Sequence, residues 1–133
     1  MRIVFADTSF YVAALSPRDV HHPRAEAFGR GFRGRVATTE YVLVEAATFF
    51  CAAPQRSTFL GLLQALQNDP EVAIVPSSSD LWRRGVALFA ARPDKDWSLT
   101  DCISFVVMQE HGIADALTAD HHFEQAGFAA LLK

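Results

Sequence analysis

Three acidic residues stand isolated in apolar sequence in this chain, and a fourth closes a strand-like segment. Asp7 closes the run "RIVFAD" and is the only charge between Arg2 and Arg18. Glu45 is the only charged residue in "YVLVEAATFFCAA", from Tyr41 to Ala53. Asp101 is the only charge between Asp96 and Glu110, and Asp120 ends the segment "ALTAD". An ionised carboxylate taken out of water is costly unless it is hydrogen-bonded, paired or holding a metal. If the fold gathers these four, their like charges repel, and one or two cations would offset that repulsion. Each acid alone also has a structural reading. Asp101 is the fourth residue of Ser98-Leu99-Thr100-Asp101, a capping box, and acids suit first helical turns. Asp120 could cap a helix over "HHFEQ", and Asp7 one starting near Thr8 or Ser9. Glu45 lies too far from its helix end to cap it. The signal is therefore the conjunction of the four.

The elements that would position these acids alternate along the chain. "RIVFA", "RVATT", "VAIVP" and "ADALTA" are short, apolar, β-rich runs, and "FAALL" is a candidate fifth. Between them lie helical patterns: "SFYVAAL", "HHPRAEAFGRG" ending at glycine, an apolar helix from about Glu40 to Ala53 with Pro54 beyond it, and "RSTFLGLLQALQ". "SDLWRRGVALFAAR", closed by Pro93, and "SLTDCISFVVMQEHG" follow. Such alternation predicts one α/β domain over residues 1–133, with a mainly parallel sheet covered by helices on both faces. Folds of this class bind ligands outside the carboxyl ends of their strands. Asp7, Asp120, Thr38 and Thr39 close strands, while Glu45 and Asp101 sit early in helices, so all four acids map to one rim.

Composition sets the bounds. The chain has 133 residues, half of them hydrophobic and a fifth charged, which fits a globular domain with a real core. No apolar run approaches the roughly 20 residues of a membrane span. "MRIVFADTSF" enters a strand-like segment directly, without the features of a signal peptide, so the expected compartment is the cytoplasm. Cys51 and Cys102 each fall in an apolar helical segment and are expected to be reduced, buried thiols. The net charge of −3 does not attract nucleic acid overall, so phosphate binding must come from local clusters.

Several motif classes are excluded. No G-x-G-x-x-G or Walker-type loop follows the first strand. "FADTSF" lacks the second aspartate of dehalogenase-type phosphatases, and "DHH" at Asp120–His122 stands without the further motifs of the phosphoesterases named for it. His21, His22 and His111 have no carboxylate or cysteine at zinc-ligand spacing. His121 and His122 read as surface residues beside a cap.

"VFADTSFYVAAL", "TTEYVLVEAATFF", "DKDWSLTDCISFVVMQEHGI" and "ALTADHHFEQAGF" resemble, in order and spacing, the PIN-domain family. Within it they are most similar to the VapC-type toxins of toxin–antitoxin pairs. The most specific pieces are serine-x-threonine-aspartate and threonine-x-aspartate-x-histidine-phenylalanine near the end. The family's acidic quartet falls on Asp7, Glu45, Asp101 and Asp120, with none missing. The resemblance implies a three-layer PIN-like fold and an endoribonuclease dependent on Mg²⁺ or Mn²⁺. It also implies a homodimer held inactive by a small cognate antitoxin. Hard divalent cations take carboxylate oxygens, which suits a mostly aspartate pocket. Asp7 and Asp101 are then the direct metal ligands. Glu45 and Asp120 complete the site, and Thr8, Ser9 and Thr118 are the hydroxyls supporting it.

RNA contact is expected from arginines. Arg24, Arg30, Arg33 and Arg35 cluster in a glycine-rich turn, with Arg83, Arg84, Arg92 and Lys95 forming a later group. A solvated surface explains any single one equally well. Phe49, Phe50, Phe59 and Leu60 offer apolar surface for a dimer or antitoxin interface, or for the core. Two other classes share these features. One is a nuclease acting on DNA or outside a toxin–antitoxin pair, and the other is a non-catalytic interaction module.

Overall fold

The strand β1 (Ile3–Ala6) is apolar at every position, and three of its four residues are buried, as befits the centre of a sheet covered on both faces. In the computed structural model, which describes residues 1–133, it pairs in parallel with β2 (Arg35–Thr39) and β4 (Asp115–Leu117). The edges are β3 (Val72–Val75) beside β2 and the two-residue β5 (Ala129–Ala130) beside β4, giving the order β3-β2-β1-β4-β5. All pairings are parallel. Short edge strands limit the unpaired backbone offered to other chains.

Seven helices make the connections: α1 (Thr8–Leu15), α2 (His22–Gly31), α3 (Glu40–Phe49), α4 (Arg56–Asn68), α5 (Ser79–Ala91), α6 (Leu99–Glu110) and α7 (His121–Gln125). From β1 the chain steps outward through β2 to β3, then crosses back to β4 and on to β5. Right-handed crossovers therefore put α1 to α4 on one face of the sheet and α5 to α7 on the other. Within each group the helices pack together, α1 against α2 and α3, and α6 against α5 and α7, while α3 and α6 also touch. The chain reverses direction at β1 and β4, so a crevice opens beyond their carboxyl ends. The core runs through Phe5, Tyr11, Val42, Phe105, Met108 and Phe123. Phe105 takes the rings of Trp97 and Phe123 edge-on at 5.0 and 4.9 Å.

The expected elements form, with two differences at α3. The helix stops at Phe49, before Ala53, and a 3-10 turn at Ala53–Gln55 leads into α4. Pro54 has no N–H to offer the Phe50 carbonyl four residues back, and its ring would clash with that carbonyl in a continuing helix. The freed carbonyl of Cys51 accepts from Arg56 Nε at 2.8 Å. Phe50, just past the helix end, folds into the core. The early stop also corrects the expectation for Cys51, which lies outside the helix and is exposed, while Cys102 is buried; neither forms a disulfide.

Helix α5 lies tightly on α6 at Gly85, where an added methyl would overlap Cγ1 of Ile103, a residue only 1% exposed. Gly85→Ala should therefore lower stability by about 1–3 kcal/mol in urea unfolding, despite the better helix propensity of alanine. Gly61→Ala on α4, with nothing within 4 Å of the new methyl, should instead raise it by up to about 1 kcal/mol.

Candidate metal centre

Asp7, Thr8, Ser9, Glu45, Asp101, Asp120 and His122 line one cavity of about 410 Å³ beyond the carboxyl ends of β1 and β4. The four acids picked from sequence thus share one site. A larger cavity, about 520 Å³, lies at the opposite end of the strands between Phe28, Phe32 and Val72. It has no comparable cluster of acids.

Each acid is delivered differently. Asp7 continues β1, its N–H donating to the Leu117 carbonyl at 3.2 Å. It occupies the N-cap position of α1, yet its carboxylate makes no capping bond. The carboxylate turns across the sheet instead, and Oδ2 accepts from Thr118 Oγ1 at 3.0 Å and Ser9 Oγ at 3.3 Å. Thr118 also accepts the Asp120 N–H at 3.0 Å, so one hydroxyl ties the end of β4 to the end of β1. Asp101 closes the capping box of α6: its N–H donates to Ser98 Oγ, and its Oδ2 accepts the Ser98 N–H at 3.1 Å. Asp120 caps α7 through Oδ1, which accepts the His122 N–H at 2.9 Å. For Asp101 and Asp120 the capping role and the site role are therefore both real.

Glu45, half-buried on α3, has no hydrogen bond or salt bridge to any protein group. Its carboxylate is placed by the helix alone, and the helix is aimed by Thr39, whose hydroxyl accepts the Val42 N–H at 3.0 Å.

Burial pushes the Asp7 carboxyl up to about 7, with the neighbouring charge of Asp101 adding to the effect. The hydroxyl of Thr118 offsets only part of it. Asp101 is raised as well, mainly by burial and further by Asp120, against the stabilising Ser98 N–H.

His122 corrects the sequence reading. His121 is exposed, as expected of a surface residue, but the His122 side chain is only 19% exposed and faces the acids. Its Nδ1 lies 3.1 Å from Asp101 Oδ2 and 3.3 Å from Asp120 Oδ1. Because both partners are acceptors when ionised, Nδ1 carries the proton. The cap at Asp120 turns the chain so that the residue two positions on folds back over it. That spacing, Asp120-x-His122, was the available signal.

The donor set fits a hard divalent cation. Asp7, Asp101 and Asp120 each engage one carboxylate oxygen with the protein and leave the other without a side-chain donor. Thr8 Oγ1, buried in the cavity wall, has no hydrogen-bond partner. Free carboxylate oxygens around a crowded negative pocket, with no thiolate, are the ligands such ions take. The arginines proposed from sequence are not part of this site. Arg35 opens β2 opposite Ile3, at the far end of the strands, and faces Glu71; Arg33 lines the larger cavity there. Arg30 pairs with Glu26 at 2.7 Å.

A fold with this strand order and this acidic crevice defines a class, and the chain matches the family description "PIN domain" over residues 4–129. The chain belongs to the PIN-domain family. It is 26% identical over 126 residues to the 23S rRNA-specific endonuclease VapC20 of Mycobacterium tuberculosis, covering 95% of each chain. The crystal structure of that protein, described as a sarcin–ricin loop cleaving toxin, superposes with a TM-score of 0.86 at 25% identity, over 95% of this chain and 96% of the other. VapBC2 from Rickettsia felis, bound to a promoter DNA fragment, gives 0.66 at 12% identity over 96% of each chain. FitAcB from Neisseria gonorrhoeae gives 0.68 at 15% over 96% of this chain and 94% of that one, and these two share the fold.

The metal-free protein should show the burden of Asp7. Its folded value lies above the ordinary 3.8, so the folded state holds the extra proton between about pH 4 and 7. The contribution therefore favours folding at low pH and is lost as pH rises through 7. In chelator, stability should fall over that window, and Asp7→Asn should flatten most of the slope, leaving the part due to Asp101, and raise stability at pH 8 by up to about 4 kcal/mol. Urea melts across pH measure both.

Proposed function

We propose that this protein is the toxin of a VapBC-type toxin–antitoxin pair, an endoribonuclease that hydrolyses RNA phosphodiester bonds with Mg²⁺ or Mn²⁺ in the acidic crevice. The carrying observation is the four acids in one cavity, each aspartate presenting one unengaged oxygen. Asp7 and Asp101 are the direct ligands, and Glu45 and Asp120 complete the site. Thr8 lines the pocket with its free hydroxyl, and Ser9 and Thr118 hold the Asp7 carboxylate in place. When bound, the cation supplies an activated water and neutralises charge on the phosphate and the leaving oxygen. The chain's own contribution is to orient the acids, with Thr118 fixing Asp7, and Ser98 and His122 fixing Asp101.

The 23S rRNA specificity in the relative's name supports RNA over DNA as the substrate class. Residues 1–133 make up one PIN domain, working in the cytoplasm as a homodimer that a small VapB-like antitoxin inhibits. Trp82, Val86 and Phe89 recur at helical spacing on α5 and are all exposed, an apolar stripe suited to a second copy. No helix is long and apolar enough to cross a membrane. Arg30, Arg33 and Arg35, far from the crevice, would reach only distant parts of a large RNA.

Purified protein should cleave RNA with Mg²⁺ or Mn²⁺ and stop in chelator. Asp7→Asn or Asp101→Asn should cost more than ~10²-fold in rate, the upper end of losses seen when only supporting residues are changed. Glu45→Gln should sharply lower cleavage and shrink the thermal stabilisation by Mg²⁺. Wild-type activity in the aspartate variants would remove those residues from the site. Expression alone should arrest growth, and co-expression of a cognate antitoxin should relieve it; harmless, soluble wild-type protein would sink the toxin assignment.

A further inference from the structure

The crevice contains an aromatic ring that neither the core nor the metal chemistry explains. Phe49 lies one turn after Glu45 on α3, at the i+4 position, so both side chains face the same way. It lines the acidic cavity, where Val12 is the only other apolar residue, and is 58% exposed. Its neighbour Phe50 is buried and lines a second cavity of about 390 Å³, together with Leu15, Gln55 and Thr58. Residues adjacent in sequence line the two cavities, which makes a double seam between them. Phe49 and Asp19 belong to the acidic one, while Phe50 and Arg18, their immediate neighbours in sequence, belong to the other.

Arg18 is unlike the other cations. Every other lysine or arginine is within ion-pair distance of a carboxylate or, as with Arg24, Arg33 and Arg56, donates to a backbone carbonyl. Arg18 does neither and is exposed at the seam. An unengaged guanidinium beside an acidic crevice can take a phosphate oxygen without first breaking an existing pair.

We propose that Phe49 and Arg18 form the track for the substrate strand: Phe49 stacks the base next to the scissile phosphodiester, and Arg18 holds a neighbouring phosphate. This rests on the ribonuclease reading above and narrows its substrate class. A base can lie on Phe49 only if it has left its own stack, so the cut falls in a single-stranded or splayed-out segment, not inside a regular duplex. Stacking on a phenylalanine tolerates any base, so Phe49 sets strandedness, not sequence.

The test uses total cellular RNA cleaved with Mg²⁺ or Mn²⁺, read at individual sites by primer extension over a range of RNA concentrations. Phe49→Ala should raise KM on the order of tenfold or more, and Phe49→Trp should keep it near wild type. Arg18→Ala should make the dependence of log KM on log salt shallower by about 0.7, the value of one contact to a single strand. The Mg²⁺-induced thermal shift should be that of wild type in all three variants, because none of these residues is a metal ligand. If wild-type protein cleaves no RNA, the ribonuclease reading fails and the track with it. If wild type cleaves, but Phe49→Ala keeps its KM and Arg18→Ala its salt slope, the track alone is overturned. Loss of antitoxin binding by Phe49→Ala with unchanged KM would likewise overturn it and assign the ring to the antitoxin.

Discussion

The structure is organised around a carboxylate that the fold buries without a cation. Asp7 is 3% exposed at the end of the central strand, and its partners are the hydroxyls of Thr118 and Ser9, not a lysine or arginine. Hydroxyls partly replace water but carry no charge, so the site remains electrostatically incomplete. That condition requires β1 and β4 to be neighbours, because Thr118 follows β4 directly. The strand order, with its reversal at β1, meets the requirement. The deficit is local: Arg30, Arg35 and Arg84 pair with acids elsewhere on the surface, and Arg18, which pairs with none, lines the neighbouring cavity.

Helix capping and the acidic crevice use the same residues here, and the reason is geometric. A helix start has backbone N–H groups that need acceptors, and a carboxylate that meets this need is held by the main chain and not by a mobile rotamer alone. Asp101 and Asp120 each give one oxygen to a helix start and keep the other for the crevice. His122 then links the two caps, reaching Asp101 on α6 and Asp120 before α7. The price of this economy is that either aspartate, when substituted, loses a cap as well as its carboxylate in the crevice, so stability and the make-up of the crevice are linked at both positions. Glu45 is the counterexample. Without a cap or partner it is free to respond to whatever enters the crevice.

Much of this was legible from sequence because charge isolation is a one-dimensional signal. An acid alone in an apolar stretch has few structural uses, and four of them at strand ends or early helix turns share a rim once the sheet is parallel. The strands were legible for the same reason, since double coverage makes them continuously apolar. What escaped depended on tertiary direction. His122 sits in a polar run where every residue looks exposed, and only the cap at Asp120 aims its ring inward. Arg30, Arg33 and Arg35 form a basic cluster in sequence, yet they surround the start of β2, a strand's length from the crevice. Sequence clustering carries no information about which end of a strand a turn occupies until the strand direction is used. Phe49 and Phe50 are adjacent and chemically identical, but the early end of α3 sends one into the core and leaves the other exposed.

The acidic crevice also dictates how its ligands must depend on one another. A polyanion approaching four carboxylates is repelled unless their charge is offset, and Arg18 is the only unengaged guanidinium at the edge. On the proposed function, metal ion and RNA would therefore favour each other's binding, and by thermodynamic linkage the preference would be mutual. A basic side chain from an inhibitory partner would satisfy the same carboxylates as the cation while occupying the space of the strand. Such inhibition would need no change in the fold, because each aspartate of the crevice already presents an oxygen that no side chain engages. The burial that raises Asp7 toward neutrality thus has a functional counterpart. An ionised Asp7 is costly in this surrounding, so a positive charge placed beside it is favoured above about pH 7, while below that value a proton competes for the same carboxyl.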